Sequence, residues 1–358
     1  MPKGDRDSGK TWSFIDSWVG RAAAIAGLVA TLAGGVTWWI SRERDRAQQR
    51  AELAAAATQA EGGDYSTALD GYAAILKNNP ADQTALDGEL DAATEWTENF
   101  RVSVPEGGKA SDAAGPDLDR ILATLEAGLA RTKGSRKADV QAHLGWAHWL
   151  NQRIAEREFG SAAETNLRDA LATDPKNAYA HAMLGNWLLQ TGGDFSEAVE
   201  HFHTAVATGH ARPFIRQLEV GGLLSRDNGA GRAELFRVAD QMRAGNEPLD
   251  RDDRRRIMNF CCDPMLAPHG ELTASLAAVG PEDAWNTYLW LDDSPKEGPD
   301  EQMQGWTRRF IQANLLEIGG ERQQSLQQYR QLQADLAQQP GSLKEAVDAA
   351  VVRLQHAS

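Results

Sequence analysis

The amino-acid sequence predicts an all-α fold, a solenoid of helical hairpins preceded by one transmembrane helix. Three observations predict it: a short segment that occurs twice, a composition typical of helices, and a charge-free run near the N-terminus. The 358 residues are 42% apolar and 25% charged, as expected of a chain with a large core. Runs of Ala, Leu, Glu, Gln and Arg favour helices, and no alternating β-branched pattern indicates a strand.

The repeated segment is a glycine–acid turn followed by a helix. It occurs at residues 63–69 and again at residues 193–199. In each copy a small, an aromatic and a further apolar residue recur at helical spacing, so they share one face of the predicted helix. These residues are Ala68, Tyr72 and Ile75 in the first copy and Ala198, Phe202 and Ala205 in the second. A lone hairpin cannot bury such a face, whereas stacked hairpins share one continuous core.

The pattern resembles the tetratricopeptide repeat (TPR), whose first helix carries a Leu-Gly pair and whose second carries Ala, an aromatic residue, Ala and a closing Pro. Three copies are similar to it, and the second departs from it by about six extra residues near 153–158. The repeat-structural residues are Gly63, Ala68, Tyr72 and Pro80, then Gly145, Ala163 and Pro175, then Gly185, Ala198, Phe202 and Ala205. The resemblance implies a TPR-like binding scaffold rather than a catalyst.

Breaks in the helical pattern divide the chain. Pro105, Gly107 and Gly108 indicate a linker, and Pro295 and Pro299 among acidic residues indicate a second loop. Helical spacing resumes after each break, and Gly319-Gly320 indicates the turn of a last hairpin. The predicted segments are an N-terminal segment (1–21), a transmembrane helix (22–40), a TPR-like repeat (47–100), a linker (101–117), further TPR-like repeats (118–212), degenerate helical hairpins (213–300), and a C-terminal hairpin with a capping helix (301–358).

The charge-free run at residues 22–40 is the second strong signal. At 1.5 Å per residue its 19 residues just span the hydrocarbon core of a bilayer. A buried soluble helix and a cleaved signal peptide are the alternatives, and we favour a single-pass anchor in a bacterial inner membrane. Lys and Arg are balanced on its two sides, so the side of the soluble part stays undetermined. Gly20, Gly27 and Gly34 share one face and indicate possible dimerisation through the membrane helix.

The charge of the chain limits the classes of partner that it can bind. The net charge is −14, and residues 1–46 hold seven Lys or Arg against five Asp or Glu, so the rest sums to about −16. An acidic surface speaks against nucleic acid, whose phosphates require basic residues. It favours protein or peptide partners that are basic or apolar.

The expected partner surface is the inner face of the repeats, which the resemblance assigns to the first helices. Its candidate residues are Trp146, Trp149, Tyr179, Asn186 and Gln190. Exposed aromatic side chains beside an amide suit an extended peptide or a partner helix. The alternative for Trp146 and Trp149 is burial between repeats, because large aromatic residues usually bury.

No motif indicates catalysis, a metal or a cofactor. The histidines of the pairs His143/His148 and His201/His203 are five and two residues apart, so neither pair has the i, i+4 spacing of a helical metal site. No phosphate-binding loop, nucleophile elbow or dinucleotide fingerprint is present. The adjacent Cys261 and Cys262 are expected in the core. We therefore predict a non-enzymatic, membrane-anchored scaffold or adaptor. Two alternatives stay open: an envelope or cytochrome biogenesis assembly factor with an extracytoplasmic domain, and an enzyme whose site lies in 213–300, which three or more titratable groups converging on one pocket there would indicate.

Overall fold

The computed structural model describes residues 38–102, 108–154, 161–208, 213–264, 269–292, 299–339 and 341–356. All regular secondary structure in these ranges is α-helical, which confirms the all-α prediction. Helix α1 is described over residues 38–61. The others are α2 (Tyr65–Asn78), α3 (Gln83–Glu98), α4 (Ala110–Arg131), α5 (Gly134–Ile154), α6 (Ala162–Thr173), α7 (Ala178–Thr191), α8 (Phe195–Ala207), α9 (Pro213–Leu224), α10 (Gly229–Ala244), α11 (Arg251–Cys262), α12 (His269–Ala277), α13 (Pro281–Leu291), α14 (Pro299–Ile318), α15 (Arg322–Asp335) and α16 (Ser342–His356).

The chain divides into two compact units, Met1–Arg101 and Val102–Ser358. In the first unit, α1 and α2 approach closely enough that a Cβ on Gly71 would lie 3.0 Å from the Cβ of Ala56. Gly88 of α3 likewise lies against the Tyr72 ring of α2. Small residues at these crossings allow the helix backbones to come together. Asp64 caps α2 by accepting a hydrogen bond from the backbone N–H of Thr67.

In the second unit, α5 pairs with α6 and α7 pairs with α8 as antiparallel hairpins. The two hairpins use the same close approach. A Cβ on Gly145 would lie 2.9 Å from the carbonyl oxygen of Ala163, and one on Gly185 would lie 3.0 Å from that of Ala198. Leu167 and Phe202, both buried, fill the space one turn later. Helical hairpins stacked in sequence are therefore present in the described part of the chain.

The glycine–acid turn has a defined physical role at α8. Gly192 ends α7 in the left-handed conformation, with φ of +83°, which glycine adopts without strain. Asp194 then caps α8 by accepting a hydrogen bond from the N–H of Glu197. In the first copy the left-handed residue is Gly63, with φ of +81°, directly before the capping Asp64.

The helices α9–α13 depart from the predicted series of hairpins. Helix α10 contacts α9, α11, α12 and α13, so these helices surround α10 instead of stacking in sequence. Cys261 and Cys262 are buried in this cluster. Cys261 Sγ donates a hydrogen bond to the carbonyl of Arg232 at 3.4 Å.

The C-terminal helices form a hairpin of α14 and α15, and α16 packs against α15. Ser325, Tyr329 and Leu332 are buried along α15. Ser325 Oγ donates to the carbonyl of Ala313 at 2.7 Å, which ties the two helices together.

Two predicted loops are shorter in the structure. The linker predicted at 101–117 ends early, because α4 begins at Ala110 and contains Pro116. Burial of Ala114 and Leu118 and the packing of α4 against α5 outweigh the backbone hydrogen bond that Pro116 cannot donate. The loop predicted between Asp292 and Glu301 is likewise shorter, since α14 begins at Pro299.

The predicted transmembrane helix falls almost wholly outside the described residues, as do Gly20, Gly27 and Gly34. Only its last three residues are described. They open α1, with Trp38 61% and Trp39 60% exposed. In the ranges that the structure describes, no helix combines the length and apolar character needed to cross a bilayer.

Candidate functional site

Helices α5, α7 and α9 of the second unit lie side by side, and the surface that they share is the predicted inner face. Each is the first helix of its pair, and the helix caps and close glycine approaches set the position of α7. Asn177 caps α7 by accepting from the N–H of Ala180 and also donates to Asp139 of α5 at 2.6 Å. The relative placement of α5 and α7 is therefore held by polar as well as apolar contacts.

Three of the predicted inner-face residues lie in the core. Trp146 and Trp149 are 7% and 6% exposed, and Asn186 is 5% exposed. The Trp146 ring meets Phe214 of α9 edge-on, with 6.4 Å between centroids. Asn186 Nδ2 donates to the carbonyl of Leu218 at 2.7 Å, so this amide joins α7 to α9. The expectation that these three side chains are exposed is not met, and the two tryptophans are buried, as the alternative had it. Helix α9 contacts Trp146 and Asn186.

The other two predicted residues are half-buried and open to the surface. Tyr179 stands near the start of α7 and Gln190 near its end. The Tyr179 ring packs on His143 of α5, with 4.7 Å between ring centroids. This contact orients the aromatic side chain. Of the five candidate residues, Tyr179 and Gln190 therefore keep exposed side-chain surface.

A histidine pair joins α7 to α8. His181 Nδ1 and His201 Nδ1 are 2.8 Å apart, and His181 Nε2 lies 3.0 Å from the carbonyl oxygen of Pro175. The carbonyl only accepts, so His181 Nε2 carries a proton and His181 Nδ1 accepts from His201 Nδ1–H. His201 Nε2 faces Glu197 at 3.7 Å, and Glu197 is also bound by Arg168 of α6 at 3.3 Å.

The environment of this pair disfavours a positive charge on His201. Burial lowers the pKa of His201, and the nearby His181 and Arg168 lower it further, while Glu197 acts in the opposite direction. Burial also lowers the pKa of His148 on α5. The described residues contain no group of three His, Cys, Asp or Glu side chains arranged to hold a metal ion.

A buried ion network joins α9 to the segment that follows α10. Arg216 Nη1 donates to Glu219 at 2.6 Å, and its Nε and Nη2 donate to the two oxygens of Glu247 at 2.9 and 3.0 Å. Burial raises the pKa of Glu219, against the stabilising charge of Arg216. Burial opposes the charge of Arg216, but the bonds to Glu247 and the charge and bond of Glu219 together outweigh it and raise the pKa of Arg216. Sequence reasoning missed this network, for which the i, i+3 pair within the apolar α9 was the available signal.

A pocket of about 90 Å³ lies beside the network. It brings Arg216, Glu247, Asp250 and Asp253 together among apolar side chains. Asp250 caps α11 by accepting from the N–H of Asp253, and Asp253 pairs with Arg256 at 3.0 Å. Burial raises the pKa of Asp253, and the neighbouring Asp250 raises it further. Each carboxylate of this pocket is thus engaged in a structural contact.

No family model matches the chain, and no curated protein matches it. Among solved structures, it is similar to a tetratricopeptide repeat protein from Parabacteroides merdae ATCC 43184. The two are 11% identical, the match covers 86% of this chain and 99% of the other, and the TM-score is 0.38. The contacts between helices define an all-α protein of helical hairpins.

Proposed function

We propose that the chain is a TPR-like scaffold or adaptor that binds protein or peptide partners and is tethered to a membrane through residues 22–40. The observation that carries the proposal is the side-by-side arrangement of α5, α7 and α9. Stacked first helices provide a continuous surface long enough for an extended peptide or a helix. The net charge of −14 favours a partner that is basic or apolar.

Tyr179 is the residue on which we expect a partner to depend most. A half-buried aromatic ring held by a neighbour offers a large contact area and loses little conformational entropy on binding. Gln190 supplies an amide donor and acceptor near the other end of α7. Trp146 and Trp149 act beneath this surface as core residues, so their truncation would test folding more than binding.

The inner face is tested by crosslinking in the host cell, followed by purification of the captured protein and a direct binding measurement. The variant Tyr179→Ala/Gln190→Ala should weaken binding by roughly tenfold or more. Val352→Ala, at an exposed apolar residue of α16, is the control and should leave binding unchanged. Equal binding by the wild type and the Tyr179 variant would reject this surface.

The membrane tether rests on the sequence of 22–40 and on the residues at the start of α1. Trp38 and Trp39 are exposed, and the Arg42 guanidinium lies 5.0 Å from the Trp38 ring centroid. Tryptophan beside arginine is typical of the interface between lipid and water. Full-length chain should stay with membranes in a carbonate wash, and a fragment from Ala47 onward should be released. Release of both would contradict the membrane tether.

Dimerisation through the membrane helix has its own test. Self-association of residues 22–40, measured with a reporter, should decrease in Gly27→Leu.

Each of the two alternative functions has its own test. An envelope assembly factor requires a reporter fused at Ser358 to be active only outside the cytoplasm. The enzyme alternative retains one supporting observation, the four titratable groups around the pocket beside Arg216. Turnover that is lost in Asp253→Asn, with the helical spectrum retained, would establish it. The structural engagement of each carboxylate makes the scaffold the better-supported function.

A further inference from the structure

A second surface of the second unit carries an open groove. It lies between the start of α13, the end of α14 and the start of α15, and its volume is about 480 Å³. Its apolar lining residues include Pro281, Trp285, Leu315 and Leu316. The volume is within the range of ligand pockets, which are about 300–1,000 Å³. We call this surface the Trp285 groove; it uses no residue of the inner face.

Trp285 is a preformed wall of the groove. Its ring stacks on Tyr288, with 5.7 Å between centroids and 15° between planes. Tyr288 is itself buried, so it holds the Trp285 ring from the core side. The indole stays half-buried, as does Leu316. An apolar side chain entering the groove would therefore meet a rigid aromatic surface, the arrangement typical of interface anchors.

Two carboxylates stand at the rim. Glu282 lies in the first turn of α13, and Glu321 precedes α15 as its N-cap residue. Both are exposed, and Gln324 Nε2 donates to Glu321 at 3.1 Å. In the described part of the chain neither carboxylate forms an ion pair within 4.0 Å. An external cation would therefore find two acceptors beside an apolar wall.

These observations select one class of occupant. We propose that the Trp285 groove binds a peptide segment of a partner protein in which a large apolar side chain is flanked by Lys or Arg. The carboxylates repel phosphate, which speaks against nucleic acid and anionic lipid. Two copies of a chain with net charge −14 also repel each other, so a second copy is a poorer match.

The test selects random 12-residue peptides displayed on phage against the full-length chain. The selected peptides are synthesised and their affinities measured by fluorescence anisotropy. Enriched peptides should carry an aromatic or long aliphatic residue beside at least one Lys or Arg. Trp285→Ala should weaken their binding by about tenfold or more. The Glu282→Lys/Glu321→Lys variant should do the same, and binding should weaken as salt is raised.

The matched control is Glu345→Lys. Glu345 is exposed and lies in the first turn of α16, as Glu282 does in α13, but it does not line the groove. Reversing the charge of Glu345 should leave the affinity for the selected peptides within about twofold of the wild-type value. Because the three reversed carboxylates are all exposed, circular dichroism should show the helical fold retained in each variant.

Four outcomes would overturn the proposal. The first is the absence of enriched peptides. The second is equal binding to the wild type and to the Glu282→Lys/Glu321→Lys variant. The third is capture of a labelled copy of the chain in place of peptide. Peptides whose binding is lost with Tyr179→Ala but kept with Trp285→Ala would also overturn it, while supporting the inner face.

Discussion

The close approach of α7 and α8 makes Gly185→Ala a direct test of the hairpin. The added Cβ would lie 3.0 Å from the carbonyl oxygen of Ala198 and 3.1 Å from the Phe202 ring. Both distances are shorter than ordinary carbon contacts, so the α8 backbone must shift to admit the methyl group. The same substitution at Gly145 meets the carbonyl oxygen of Ala163 and the Leu167 side chain at 2.9 Å.

The expected change in the free energy of unfolding of Gly185→Ala is the sum of two opposing effects. Ala is about 1 kcal/mol better than Gly inside a helix. Overpacking a close contact costs about 1–3 kcal/mol. Gly185→Ala should therefore lower the free energy of unfolding by about 0–2 kcal/mol in total. Gly221 of α9 supplies the matched control, because a Cβ there meets nothing within 4 Å. Gly221→Ala should raise the free energy of unfolding by up to about 1 kcal/mol.

Urea unfolding of the full-length chain, followed by circular dichroism and tryptophan fluorescence, measures the difference between the two variants. Gly185→Ala should be less stable than Gly221→Ala by about 1–3 kcal/mol. In a thermal melt this corresponds to about 2–4 °C per kcal/mol for a unit of this size. If both variants gained the same stability, the helices would not meet at Gly185, and the hairpin assignment would fail.

Three further predictions concern buried polar groups. Arg216→Met should destabilise the chain by about 3–5 kcal/mol in urea unfolding, because Glu219 would stay buried without its guanidinium. Adding Glu219→Gln should recover much of that loss, and no recovery would show that the two residues are not coupled. Because burial lowers the pKa of His201, the unfolded chain takes up its proton first as the pH falls below about 6.5. The free energy of unfolding should then decrease until the pH passes the lowered pKa of the folded chain, and His201→Gln should flatten part of this loss in a pH series of melts. Asn151 is fully buried, and neither of its amide atoms has a hydrogen-bond partner among the described residues. Asn151→Leu should raise the free energy of unfolding by about 1–3 kcal/mol, and a less stable variant would indicate a partner for the amide.

The hairpins could be predicted because their signal is local. A small residue is required wherever two helix backbones meet, and Gly185 with Ala198 shows why that requirement is visible in sequence. Caps are equally local, since Asp194 bonds an N–H only three residues away. The start of α4 could not be predicted in the same way because proline usually ends helices, whereas here tertiary burial around Pro116 prevails.

The candidate site was harder to predict because its contacts span long separations in sequence. The exposure of Trp146 depends on Phe214, which belongs to another helix pair. The Asn186 amide is buried because it bonds the backbone of α9, 32 residues away. The histidine pair likewise joins two helices, so the spacing of His201 and His203 along α8 gave no sign of it.

The charged side chains of the second unit fall into two groups that differ in exposure. Arg216 is buried, and its guanidinium is bonded to Glu219 of α9 and to Glu247 in the segment that follows α10. Such contacts fix helix positions, and their groups are already engaged. Glu282 and Glu321, by contrast, are exposed beside an apolar wall held by Tyr288. Under the proposal for the Trp285 groove, a peptide would be recognised there by shape and charge.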